Sequence, residues 1–371
     1  MKRGSAANRL ADFYLGIPVL NLVATFRRKR SYPENPKRIG LFFNPALGDT
    51  LLASAAVQDI RGIFPDAALI VFAAKPNLAA ARLLPSIDQI KLLPITNPVK
   101  AIRTLRSCEL DLMLDFSAWQ RTTAFYTFLS GARFRVGFKR QGQYRHRGYD
   151  LTACHSADCH EIENLRRLTR LLGAQHHCEP NLILPDEPDA GDRIPSGRFI
   201  VFHPWASGFR SWQREWPAER WVELAKCLSV PERSVLVTGA PADEDRAQLL
   251  CLRLRSQGVP AGPFIGRGGL GEVARLLKHA QMLISVNTGI MHLGAILGVP
   301  TISLNGPTAA HRWGPRGPRV ANVCPSDGSG GFLDLGFEYR GHPGGVMEKI
   351  SVDDVLKAVR RLEEQAEPEV E

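Results

Sequence analysis

From Arg38 onward the apolar positions fall into two alternating patterns. "RIGLFFNPA", "ALIVFAA" and "DLMLDFS" are short, near-continuous apolar runs of the kind that form buried strands. Between the first two, "TLLASAAVQDIRGIF" repeats its apolar positions at helical spacing. Such alternation predicts parallel strands joined by helical crossovers. A polar stretch rich in Pro, Gly and Asp, "LPDEPDAGDRIPSGR" (184–198), reads as an interdomain linker. Beyond it the same pattern returns in "FIVFHP", "WPAERWVELAKCL", "SVLVTGA", "HAQMLISVN", "GIMHLGAILG" and "PTISLNGP". A chain of 371 residues is long enough for two cores. The expected fold class is therefore α/β, with two doubly wound, Rossmann-like domains facing across a cleft and ligands bound outside the carboxyl ends of the strands. The predicted boundaries are 1–36 for an apolar and basic N-terminal segment and 37–184 for the first domain. The second domain is placed at 185–350, and a C-terminal helix with an acidic tail, "EEQAEPEVE", at 351–371.

The N-terminal segment carries "LADFYLGIPVLNLVATF" (10–26) followed by Arg27, Arg28, Lys29 and Arg30. The run is shorter than the about 20 apolar residues that span a bilayer, and Asp12, Pro18 and Asn21 interrupt it. Most of the positive charge follows the apolar run, the reverse of a signal peptide. Two placements are open: an amphipathic helix lying on the cytoplasmic surface of an inner membrane with its basic end on anionic lipid, or a helix packed on the globular body.

Composition narrows the class of partner. Hydrophobic residues at 44% and charged residues at 23% describe an ordinary globular chain. A net charge of +10 favours something anionic: nucleic acid, an acidic membrane face or a phosphorylated small molecule. The basic residues lack the aromatic interleaving of strand-binding surfaces, so nucleic acid is not an expected partner. The stretch "RFRVGFKRQGQYRHRGYD" (133–150) would suit an anionic acceptor, with Lys139, Arg140 and the more distant Arg121 as candidate contacts. Seven cysteines form no regular disulfide framework and fit a reducing compartment. "CHSADCH" (154–160) holds zinc-capable groups, but its spacing matches none of the usual zinc patterns, and no metal is expected.

The chemistry concentrates where strands hand over to helices. In "SVNTGIMHLGAILGVPTISLNGPT" (285–308), Gly289 and its neighbouring N–H groups open a helix, where unpaired donors and the positive end of the helix dipole attract a phosphate. Thr288 could add a hydroxyl, and His292 lies one turn on, although Asn287 and Thr288 are also residues that merely cap helices. "FHPWASGFRSWQREWP" contributes Ser207 and Arg214, and "VTGAPADEDRA" contributes Gly239 and Asp243. Carboxylates there could take ribose hydroxyls while an arginine fork holds a diphosphate. In the first domain, Asp49 of "FFNPALGDTLLASAAV" reads as an N-cap of a helix beginning near Thr50, and it also stands where a general base would be needed. No G-x-G-x-x-G follows the first strand and no Walker motif occurs, which disfavours a redox dinucleotide.

Taken together, "NPALGDTLLASAAVQDIRGIFPDA", "DLMLDFSAWQRTTAFYTFLSGARFRVGF", "FHPWASGFRSWQREWPAERWVELA", "NTGIMHLGAILGVPTISLNGPT" and "RWGP", in that order, resemble glycosyltransferase family 9, the heptosyltransferase family, from about Arg38 to Gly317. The resemblance implies the two-domain GT-B fold and a metal-independent, inverting transfer of a sugar to a lipid-linked, lipopolysaccharide-type acceptor. The implied donor is a nucleotide diphosphate sugar, typically ADP-heptose. It further implies Asp49 as the catalytic base, Arg214 at the diphosphate where the family usually has Lys, and Thr288, Gly289 and His292 in the family's D-[TS]-G-x-x-H donor motif. Asn287 departs from that motif by replacing a carboxylate with an amide. Two other readings use the same groups: a nucleotide-sugar epimerase of the same architecture, and a catalytically weakened protein that binds a nucleotide or glycan.

Overall fold

In the computed structural model, the residues described are 12–14, 16–25, 30–43, 46–184, 194–265, 269–336, 338–339, 341–342 and 344–365. The chain divides into two compact units, Met1–Ile183 and Leu184–Glu371. Arg27, Arg28, Lys29, most of the expected linker and the end of the acidic tail lie outside the described residues.

The first unit is built on β1 (Arg38–Phe42), β2 (Ala68–Ala73), β3 (Gln89–Leu92), β4 (Leu112–Asp115), β5 (Phe134–Lys139) and β6 (Leu151–Cys154). All pair in parallel, in the order β3-β2-β1-β4-β5-β6. Successive side chains of a strand point to opposite faces. Ile39 and Leu41 accordingly pack with Val57, Ile60 and Leu165 on one face, while Phe42 packs with Phe72, Met113 and Tyr126 on the other. Between them Gly40 leaves no space for a side chain, since a Cβ would lie 2.6 Å from both Leu110 and Met113.

The helix expected after β1 is broken at Ala53 into Leu47–Leu52 and Ser54–Ile63. Thr50 Oγ1 and Ser54 Oγ each donate back to carbonyls of the preceding turn, at Ala46 (2.8 Å) and Leu51 (2.7 Å), a pattern that bends helices.

The N-terminal helix Gly16–Thr25 packs on the body. Its Leu20 is fully buried with Ala124 and Tyr149, and just before it Asp12 forms a 2.9 Å ion pair with Arg121. The outward side stays apolar: Phe13, Tyr14, Val19 and Leu22 are exposed. No helix among the described residues is long and apolar enough to cross a membrane.

The second unit repeats the plan with β7 (Arg198–His203), β8 (Arg233–Gly239), β9 (Ala261–Ile265), β10 (Met282–Val286), β11 (Thr301–Leu304) and β12 (Val320–Val323). The parallel order is β12-β11-β10-β7-β8-β9. Read from its own first strand, each sheet has the 3-2-1-4-5-6 order of dinucleotide-binding folds, so both units are doubly wound as expected. The last helix, Val352–Glu364, turns Val352, Val355, Val359 and Leu362 inward at helical spacing.

Candidate functional site

In a sheet of this order the crevice for a ligand opens where strand order reverses, at the carboxyl ends of the first and fourth strands. In the second unit these are β7 and β10, which lie side by side with Ser285 paired to His203. Burial lowers the pKa of His203 to about 4, so the ring is neutral near pH 7; its Nδ1 lies 3.0 Å from Thr238 Oγ1.

β10 ends at Val286, and the helix Gly289–Ile296 starts three residues later with Thr288 as its N-cap. The Thr288 hydroxyl makes no capping bond; it lies 3.4 Å from Ser285 Oγ. The first helical N–H groups have no partner within the helix, and Thr288, Gly289 and Ile290 are partly exposed while the rest of the turn is buried. His292 is 4% exposed, inside the unit.

Asn287 does not cap the helix either. Its Nδ2 donates to Asn305 Oδ1 (2.7 Å) and to the Trp313 carbonyl (2.9 Å). Asn305 Nδ2 in turn donates to the Ser303 carbonyl (3.0 Å) and Asn322 Oδ1 (2.9 Å). Carbonyl oxygens only accept, so Ser303 and Trp313 fix the direction of both amides. The "RWGP" segment is thereby tied to the turn: Trp313 supplies the acceptor, and the fully buried Arg312 is held by Asp334 at 2.9 Å.

The loop after β7 brings Arg214 and Ser207 together, because Arg214 Nη2 donates to the Ser207 carbonyl. Arg214 closes the short turn Ser211–Arg214 and is partly exposed. Gly239 at the end of β8 has a packing role: a Cβ there would sit 2.9 Å from Asp243 Cβ and 3.0 Å from the Trp205 ring. Asp243 Oδ2 accepts from the Ala240 N–H (3.0 Å), so its carboxylate shapes the 240–243 turn.

In the first unit the corresponding strands are β1 and β4. Asp49 is not an N-cap, because the helix begins two residues earlier, at Leu47, with Ala46 as its cap residue. Asp49 lies in the first turn, partly exposed.

β4 ends in an ion network that the sequence did not announce. Asp115, fully buried, accepts from Arg145 Nη2 (2.9 Å), Tyr149 Oη (2.7 Å) and the Ser117 N–H (2.9 Å). Burial pushes the Tyr149 phenol well above its ordinary pKa, which keeps it a donor.

This network corrects part of the reading of the basic stretch. Arg145 is inside the unit, and Arg135 is buried in a two-point pair with Asp150 (2.9 and 3.0 Å). Arg121 is also withdrawn from an acceptor role. Only 4% exposed, it is held by Asp12 and by the carbonyls of Gly142 and Gln143, so it positions the N-terminal helix. Lys139, at the carboxyl end of β5, is exposed, and Arg140 beside it is partly exposed.

In the cysteine–histidine segment, His160 caps the helix Glu161–Leu171 and His155 pairs with Glu161 at 3.1 Å. Among the described residues no three metal-capable groups converge.

Comparison with known proteins places these features in a family. A curated relative, lipopolysaccharide heptosyltransferase 1 of Pseudomonas aeruginosa, is 34% identical over 124 residues, 33% of this chain and 33% of its own length. The chain thus aligns with about a third of that protein. Two solved Escherichia coli structures share the GT-B fold of this chain. ADP-heptose lipopolysaccharide heptosyltransferase II has a TM-score of 0.71 and 18% identity, covering 89% of this chain and all of that one. The heptosyltransferase WaaC, solved with ADP, has a TM-score of 0.63 and 20% identity, covering 89% and 99%. The model of glycosyltransferase family 9 (heptosyltransferase) matches residues 99–329, more than half of the sequence, and the chain belongs to that family.

Proposed function

We propose that the protein is an inverting glycosyltransferase that moves a heptose from ADP-heptose to a hydroxyl of a lipopolysaccharide-core acceptor. The observation that carries this reading is the turn after β10. There, the N–H groups of the partly exposed residues Thr288 to Ile290 start a helix beside neutral partners, a setting suited to a diphosphate. Arg214 would add a two-pronged donor to the same anion. As the bond from the anomeric carbon to the diphosphate oxygen breaks, these donors would stabilise the charge gathering on the departing ADP. The acceptor oxygen would form the new bond on the opposite face, and Asp49 would take its proton. Donors of this kind need no divalent ion, so chelator should leave the rate unchanged. Lys139 and Arg140 remain the proposed acceptor contacts. Conversion of Asp49 to Asn tests the assignment: ADP release with a heptose-free core acceptor should fall at least about 100-fold, the lower range of general-base contributions. Wild-type turnover would reject the assigned base.

The same reading has the enzyme seated on the inner membrane. It is supported by the exposed Phe13 and Tyr14 just before the helix Gly16–Thr25 and the exposed Leu22 on it, while Leu20 locks the helix to the body and basic residues follow. Sedimentation with vesicles containing anionic phospholipid should be lost in Leu22→Asp. Equal sedimentation of the two proteins would overturn it.

A further inference from the structure

Four of the chain's six tryptophans line one cavity of about 420 Å³ in the second unit, with no lining residue from the 287–292 turn. Trp205, Trp216 and Trp221 form its floor, each less than a tenth exposed, and Trp216 meets Trp221 edge to face at 5.2 Å. Trp212 is different. It is 63% exposed on the short turn Ser211–Arg214, and Leu249 beside the same cavity is 54% exposed. Planar polar groups in the lining are Gln213, Glu215, Arg246, Arg253 and Glu348, with Arg246 stacked 4.9 Å from the Trp205 ring and paired to Glu215. The indole N–H of Trp221, in a side chain only 1% exposed, has no acceptor among the described residues. A buried donor without a partner is costly, and here it belongs to a residue lining a cavity.

We propose that this groove is a saccharide subsite, holding a pyranose ring of a glycan away from the reacting centre. The inference rests on the reading of the chain as a sugar-transferring enzyme. A pyranose presents one face of C–H bonds, which packs on an indole, and a rim of hydroxyls. Those hydroxyls match an amide, a carboxylate and a guanidinium around an aromatic plate. The volume lies in the range of about 300–1,000 Å³ usual for small-ligand sites. A peptide would need a row of backbone partners or a deeper apolar trench. The lining carries two carboxylates, Glu215 and Glu348, and two guanidiniums, Arg246 and Arg253, so its charges balance, which suits a hydroxylated, weakly charged guest. Because Trp212 and Gln213 share a turn with Arg214, glycan bound in the groove would also steady the loop proposed to hold the diphosphate.

The test is saturation-transfer NMR on the full chain, with lipid-free core oligosaccharide from deacylated lipopolysaccharide as probe, with and without saturating ADP. The expected result is transfer to sugar ring protons that persists in ADP, with affinity about tenfold weaker in Trp212→Ala, as for loss of one aromatic contact. Trp212 is exposed, so its removal leaves the core intact; Gln213→Ala is the second variant and should weaken binding as well. Displacement of the sugar by ADP would make the groove the nucleotide's own pocket and overturn the proposal. So would sugar binding indifferent to both variants, or no binding at all. Asp49→Asn separates the two readings, since it should abolish transfer while leaving this binding unchanged.

Discussion

Replacing Asn287 by Asp, the residue usual at this place in the family, should destabilise this protein. Asn287 Nδ2 makes two donated bonds, to Asn305 Oδ1 and the Trp313 carbonyl, and the residue is 8% exposed. A carboxylate has no proton for either, and both facing atoms are acceptors held in place by their own partners. Each lost bond is worth about 1 kcal/mol, and bringing an anion against two oxygens adds to that, for a total of roughly 3 kcal/mol. For a unit of this size the melting temperature should then drop by about 6–12 °C at pH 8. The effect should depend on pH in a defined sense. The repelled carboxyl would have a folded pKa raised above the unfolded value of about 3.9, so the loss is smallest below that value and grows as pH rises toward the folded pKa. Thermal unfolding of the wild type, Asn287→Asp and Asn287→Ala from pH 4 to 8 measures this. Alanine removes the donors without adding charge, so it should lie between the other two at pH 8. If Asn287→Asp melts with the wild type at pH 8, or above the alanine variant, the amide network does not run as described.

Two further perturbations read the two strand ends. His203, held to about 4 by burial, must gain a proton on unfolding in acid, so stability is full above about 6.5 and falls as pH drops toward 4. The loss is roughly 3 kcal/mol at about 1.4 kcal/mol per pH unit; His203→Gln should flatten that part of the urea-midpoint profile, and an unchanged slope would remove His203 as its source. Arg145→Ala leaves the fully buried Asp115 without its cation and should cost about 3–5 kcal/mol in urea unfolding, while Arg145→Met with Asp115→Asn should cost far less. A single variant within 1 kcal/mol of the wild type would refute the network's role.

The sheets were legible because each strand is a short apolar run and each crossover has helical spacing, two local properties. Features that depended on distant partners were not. Arg121 looked available, yet Asp12, 109 residues away, withdraws it. The basic run 133–150 looked like one charged face until Asp115 and Asp150 drew Arg145 and Arg135 inside. The start of the Asp49 helix was misplaced for a local reason: Ala46 is not a residue that announces a cap, and Gly48 reads as a breaker although it lies within the helix. The turn at 287–289 was visible because a strand, a break and a helix follow one another in the sequence. The direction of the Asn287 amide was not, since its partners lie 18 and 26 residues further on.

That direction bears on the chemistry proposed for the turn. The two sheets share one strand order, yet their switch points are charged differently. In the first unit the fourth strand ends on a carboxylate neutralised by Arg145. In the second the ends of β10 and its neighbours β7 and β11 carry amides, hydroxyls and a neutral histidine: Asn287, Asn305, Ser285 and His203. A carboxylate at 287 would stand beside the very N–H groups proposed to face a diphosphate and would oppose part of their field. The amide removes that opposition while its donors brace the turn through Trp313. On this reasoning Asn287 strengthens the anion site at the expense of a negative group that could accept hydroxyl protons from the donor sugar. Its effect should therefore show both in the choice of sugar and in the grip on ADP.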